Sequence, residues 1–158
     1  MAPNQAQQEW VARVLGVQPD VAGSAARSTE FPTAWRKAVA QFRDASDSID
    51  GQIGRLQTVL KGVGDGELAE IAEYGLNGVT GGFKVPLMAV LRELDPAAPK
   101  PQLVKRARTV VSGFRGHLGR DERVLACDEN PFGVRMTVRS TLVGALDGLY
   151  AALQLAAD

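Results

Sequence analysis

Two acidic rows offer the most obvious chemistry in this chain. Asp44, Asp47 and Asp50 recur every three residues, as do Glu67, Glu70 and Glu73, and on a helix each triplet shares one face. Carboxylates on neighbouring helices can hold a pair of metal ions, but a dinuclear site in a helical bundle draws on inward carboxylates and Glu-x-x-His pairs. The single histidine, His117, has Phe114 three residues earlier in place of an acid. Both rows also fall opposite the apolar stripes, so they read as solvated faces, and no metal site or cofactor is expected. Cys127 and His117, a thiol and a base, form the second candidate. They stand ten residues apart, and a cysteine nucleophile needs its base within hydrogen-bond reach. A buried thiol and a partly buried histidine account for the pair without a reaction, so no catalytic residue is assigned.

Recognition of an anion or a partner has four candidates. Lys105, Arg106, Arg108, Arg115, Arg120 and Arg123 gather positive charge on one stretch, and such a row can meet phosphates or an acidic protein. No aromatic residue is interleaved on that arc to stack bases, which disfavours nucleic acid. An adjacent acidic helix would offset the row altogether. The segments GVGDGE at 62–67 and GLNGVTGG at 75–82 have the glycines of a phosphate-binding loop. No strand precedes either one, and the first lacks the P-loop lysine and hydroxyl, so neither is read as a nucleotide site. NPF at 130–132 matches a tripeptide that some eukaryotic adaptor domains recognise, but an Asn-Pro turn tucking Phe132 under a helix end explains it without a partner.

Five helical segments must carry these residues. Trp10, Val11, Val14 and Leu15 lie at helical spacing behind the possible cap Asn4, predicting a short amphipathic arm over about 4–15. Residues 16–32 hold glycine, proline, serine and alanine without period, as a linker does. Thr33 then caps a helix expected to run to about Lys61. Its residues Trp35, Phe42, Ile49 and Leu56 recur every seven, as do Val39, Ile53 and Leu60, with Ser46 the one break. Gly51 and Gly54 weaken its middle. From a cap at Asp65, the residues Leu68, Ala72, Leu76, Val79, Phe83, Leu87, Val90 and Leu94 keep one face of a second long helix. Pro86 is expected to kink it at the Gly81–Gly82 pair. Gly75, Gly78 and Gly82 form a strip where another helix can approach closely. After DPAAPKP, the stripe Leu103, Ala107, Val110, Phe114, Leu118 predicts a third helix to about Gly119. One further turn begins at Asp121, and a fourth helix starting near Thr137 carries Val138, Leu142, Ala145, Leu149 and Leu153. Short links between long helices favour antiparallel neighbours.

The expected fold is therefore all-α: an antiparallel four-helix bundle over 33–158, preceded by an N-terminal arm and linker over 1–32. Its 158 residues suit one hydrophobic core. Cations and anions both number 18, which removes any overall electrostatic case for nucleic acid or an anionic membrane. One cysteine excludes an internal disulfide, and no apolar run reaches the roughly 18 residues of a membrane span. A reducing cytoplasm is the expected compartment, with signal-independent export left open.

The stretches AEYGLNGVTGGFKVPLMAVL at 72–91 and DENPFGVRMTVRSTLVGALDGL at 128–149 resemble helical modules of large multidomain proteins in proteobacteria. The resemblance runs from about Trp35 to the end of the chain and rests on glycines, a turn and apolar residues. It implies a helical accessory or interaction module of a bacterial assembly or a toxin-like or secreted protein, and it carries over no catalytic residue. Another protein or another domain is thus the expected partner. Its contacts are placed at Trp10, Val14 and Leu15 of the arm and at Lys105, Arg108 and Arg115 of the basic face. The competing expectation is an enzyme or small-ligand binder with a cavity at the Gly81–Gly82–Pro86 kink.

Overall fold

The computed structural model describes Trp10, Val14 and residues 27–62 and 66–156. Among these residues there are helices and turns and no strand. The longest helix, α1, spans Arg27–Leu60. Trp35, Phe42, Ile49, Leu56, Ile53 and Leu60 are all buried along it, so the heptad spacing does mark the face that meets the core. Of the two remaining seam positions, Val39 is half-buried against the core and Ser46 is buried with its hydroxyl unpaired. The helix starts at Arg27 rather than at Thr33, and Pro32 lies inside it. Phe31 explains the extension: it is 1% exposed and its ring packs, tilted, against Trp35 at 5.8 Å, and burying a phenyl ring offsets the hydrogen bond that proline removes.

The second long helix is where the sequence reading needs correcting. In place of one kinked helix there are three: α2 over Gly66–Tyr74, α3 over Leu76–Thr80 and α4 over Lys84–Glu93. The breaks fall on glycines at positive φ, Gly75 at 62°, Gly81 at 57° and Gly82 at 84°, conformations that side-chain-bearing residues rarely adopt. Pro86 produces no kink, because it sits in the first turn of α4, where backbone N–H groups have no helical acceptor to lose. A Cβ on Gly75 or Gly82 would meet nothing within 4 Å, so these two glycines turn the chain and do not admit a close helix. The apolar face nonetheless persists through both breaks: Leu68, Ala72, Val79, Leu87, Val90 and Leu94 are buried.

Helix α5 spans Pro101–Arg120, α6 spans Glu122–Asp128 and α7 spans Val138–Leu153. Pro101 opens α5 at a position that needs no amide donor. Asp121 caps α6 by accepting from the Arg123 amide at 2.9 Å. Thr137 precedes α7 without capping it through its side chain. That role falls to Asp128 across the loop, whose carboxylate accepts from the Val138 amide at 2.8 Å. The NPF segment is the expected turn: the Asn130 side chain donates to the carbonyls of Cys127 and Val134, and its oxygen accepts from the Phe132 amide. Phe132 is half-buried against the core.

Side-chain pairs fix the directions of the main helices. Gln52 of α1 accepts from the Thr137 amide at 2.7 Å, and Gln41 of α1 stands against Gly148 of α7. Numbers rise along α1 as they fall along α7, so the two run antiparallel. Arg108 meets the Leu153 carbonyl and Arg115 meets Asp147, which makes α5 and α7 antiparallel as well. Arg106 with Glu93, and Phe114 with Phe83, give the same relation between α5 and α4. The most extensive packing is α1 on α7 and α5 on α7, and Phe42 meets Phe114 edge-on at 6.5 Å between them.

Candidate functional site

The site is built where α5 and α7 lie side by side. Along α5, Val104, Ala107, Val111, Phe114 and Leu118 turn into the core. Ser112 and Gly116, four residues apart on the next strip, carry almost no bulk and leave a groove above Val111. The facing strip of α7 supplies Asp147 and Tyr150, and the groove, open to solvent on one side, has a volume of about 510 Å3. Arg115 Nε lies 2.6 Å from Asp147 Oδ1 across its rim. Trp10 completes the lining, with its indole 6.3 Å from the Tyr150 ring in an edge-on arrangement. Trp10 and Val14 both have helical backbone, and the indole of Trp10 is seated on the α5–α7 groove.

Two of the expected partner residues, Trp10 and Arg115, therefore converge on one groove. Val14, one turn from Trp10, is 41% exposed. Leu15 and Val11 lie outside the described residues, as do the possible caps Asn4 and Asp65. Lys105 and Arg108 stand further along α5, away from the groove. Arg108 donates to the Leu153 carbonyl at the end of α7, at 2.9 Å, a cation satisfying a helix C-terminus. Arg106 pairs with Glu93, Arg115 with Asp147 and Arg123 with Asp121. Much of the basic row is thus paired within the chain. Sequence reading missed Ser112, Gly116, Asp147 and Tyr150. The available signal was the Ser112–Gly116 spacing on α5, which looks like ordinary helix surface until an aromatic residue is known to lie over it.

No match was found to any family model, curated protein or solved structure.

The other candidates separate in space. Asp44, Asp47, Asp50, Glu70 and Glu73 are all exposed, and among the described residues no three His, Cys, Asp or Glu side chains gather closely enough to hold a metal ion. Cys127 is fully buried, and burial, with the charges of Asp128 and Asp121 adding to it, pushes its thiol up to about 11. A thiol so placed is protonated at neutral pH and a poor nucleophile. His117 turns elsewhere: its ring lies 5.3 Å from that of Phe83, and its Nε2 is 3.0 Å from Asp121 Oδ2. The ring also fills the ground beneath Gly81, where an added Cβ would come within 2.6 Å of Nε2. Side chains thus occupy the inward side of the second glycine turn, at Gly81.

Asp121 is the most strongly tied carboxylate of the group, 7% exposed and bridging His117 and Arg123. Burial pushes its carboxyl up, but hydrogen bonds from the Arg123 side chain and amide, with the charges of Arg123 and His117, outweigh that and hold it below the ordinary 3.8. Folding therefore favours the ionised form, and the resulting stability is present above the unfolded value and lost as pH falls through the folded one. Asp121→Ala should cost about 1–2 kcal/mol at pH 7, the usual worth of an N-cap. In urea melts the gap between variant and wild type should close as the pH is taken well below 3.8. A gap that widened on acidification would contradict this assignment.

Proposed function

We propose that the chain is a non-enzymatic helical interaction module, a four-helix bundle whose second helix is broken at two glycine turns, serving a larger bacterial assembly or a toxin-like multidomain protein. The observation that carries the reading is the seat of Trp10 on the α5–α7 groove beside Tyr150. The groove already takes an aromatic side chain presented from outside the bundle, which is how helix-in-groove recognition works. Its rim carries one charge of each sign, Arg115 and Asp147, so it selects by shape and apolar contact more than by net charge. The bacterial setting rests on the resemblance of 72–91 and 128–149 to proteobacterial modules.

The test is capture of binding partners from bacterial lysate with the full chain as bait. Trp10→Ala and, separately, Arg115→Glu should leave the helical circular dichroism signal intact. Loss of the indole should weaken recovery as removal of an aromatic anchor does, by about 2 kcal/mol or some thirtyfold. Undiminished recovery with both variants would reject the surface. A reaction abolished by His117→Ala or Cys127→Ser in a folded chain would reject the non-enzymatic reading.

A further inference from the structure

The α5–α7 groove has an aromatic end and a cationic end. Arg108 with Leu153 and Arg115 with Asp147 set the register of the two antiparallel helices, and that register puts Tyr150 level with Val111 and Ser112. Trp10 stands against Tyr150 at this end. Arg115 and Gly116 lie one turn further along α5, about 6 Å away. Here a second guanidinium joins the first. A Cβ added to Gly116 would come within 3.1 Å of Arg120 Nη1 and 3.6 Å of Nη2, so the Arg120 side chain is folded back along its own helix against Gly116.

The charges at this end do not cancel. Arg115 is matched by Asp147, but the hydrogen bond uses Nε alone. Arg120 has no hydrogen bond and no ion pair among the described residues. Arg139 of α7 reaches the same end of α5 and donates to the carbonyls of Gly119 and Asp121, not to a carboxylate. Asp121 itself is engaged by Arg123 and His117. A helix C-terminus favours cations, but its dipole amounts to about half a negative charge, which leaves most of the charge on Arg120 and Arg139 unanswered. With Trp10 in place the groove still has a volume of about 510 Å3, within the range of sites that take up a ligand.

Resting on the groove reading above, we propose that the partner is a helix carrying an aromatic residue with an acidic residue one turn away. The ring enters over Ser112 beside Trp10 and Tyr150. The carboxylate, about 6 Å along the same face of the partner helix, meets Arg115 and Arg120 at Gly116. Guanidinium groups bind carboxylates through paired N–H donors, and both arginines have donors to spare. A lysine or arginine at the same position of the partner would add to the surplus and be rejected.

The experiment compares two synthetic helical peptides of about 16 residues. Each has a central phenylalanine, and they differ only four residues before and four after it, with glutamate in one and lysine in the other, so that either direction of docking is covered. Binding to the full chain is read from the anisotropy of a dye on the peptide. At low salt, wild type should bind the glutamate peptide about fivefold more tightly or better, the worth of one good exposed charge pair, and the preference should shrink as salt rises. Arg120 is exposed, so Arg120→Glu should keep the helical circular dichroism signal and still bind both peptides through the phenylalanine, while losing or reversing the preference. Equal affinity of wild type for the two peptides would overturn the proposal, as would a preference that Arg120→Glu leaves unchanged. So would displacement of the glutamate peptide by an equal concentration of 3-phenylpropionate, which carries a ring and a carboxylate without a helix and would make the occupant a small anion. A glutamate peptide with alanine in place of phenylalanine separates failure of the charge rule from failure of the groove. Binding that needs the phenylalanine but ignores charge leaves the groove reading standing, whereas binding that never needs it, or none up to about 1 mM, removes both.

Discussion

Ile53→Asp should cost about 4 kcal/mol or more and leave the chain close to unfolding at neutral pH. Ile53 is 2% exposed two turns before the end of α1, on the seam that also buries Ile49 and Leu56. A carboxylate placed there loses its hydration, and no ion pair of the described residues lies at that point of the seam. It therefore takes up a proton or carries an unpaired charge, and either outcome belongs to the small class of severely destabilising substitutions. A domain of this size has only about 5–15 kcal/mol of stability in all. The conservative Ile53→Val, which removes a single methyl group, should cost about 0.5–1.5 kcal/mol. The same helix holds a contrasting case in Gly51, where an added Cβ would meet nothing within 4 Å, so Gly51→Ala should gain up to about 1 kcal/mol. Urea melts of the three variants decide the matter. A cost below about 1 kcal/mol for the aspartate would mean that this part of α1 is not packed as a seam.

What the sequence made legible follows from what periodicity can report. The seven-residue spacing along α1 and the four, four, three spacing from Leu68 to Leu94 mostly identify buried residues, with Val39 and Phe83 half-buried among those described. Burial is what apolar patterning encodes. Patterning does not encode backbone continuity, so the second segment read as one helix while the chain turns at Gly75 and again at Gly81 and Gly82. The conflict lay between a proline and a run of glycines, and proline received too much weight: its effect depends on where the helix starts, and the glycines moved that start to Lys84. Phe31 shows the opposite error. It stood in a segment whose composition resembles a linker, and only a partner four residues on, Trp35, makes it part of α1. The groove was legible only in halves, since Trp10 and Arg115 stood out individually for apolarity and charge. The residues that shape it, Ser112 and Gly116, act by lacking side chains, and a hollow between two helices depends on a pairing that no single segment specifies. The basic row was misleading for a related reason: the acids that pair with Arg106 and Arg115 lie on α4 and α7, far away in sequence.

Gly81→Ala should cost about 2–4 kcal/mol, and most of the part beyond 2 kcal/mol should disappear when His117 is also replaced by alanine. Two independent penalties meet at this position. Gly81 sits at φ 57° and ψ 30°, closing α3 in the left-handed region, where a Cβ alone costs about 1–2 kcal/mol. The same Cβ would also lie 2.6 Å from His117 Nε2 and 2.7 Å from Cε1, well inside contact distance, and overpacking of this kind typically costs about 1–3 kcal/mol. The imidazole has little freedom to give way, because Phe83 packs on it at 5.3 Å and the Asp121 carboxylate lies 3.0 Å from its Nε2. A double-mutant cycle separates the two effects. His117→Ala removes the ring, so Gly81→Ala in that background should cost only the backbone part, about 1–2 kcal/mol. The coupling between the sites should then be about 1–2 kcal/mol, the share of the overpacking that the ring imposes. An equal cost for Gly81→Ala in both backgrounds would show that the ring swings aside without loss. The contact between the second glycine turn and α5 would then be loose, and a ligand-sized opening at this turn would again become a reasonable expectation. A large coupling means instead that His117, Phe83 and Asp121 form a packed buttress, which holds the broken second segment against α5 and keeps Phe114 beneath it in the core.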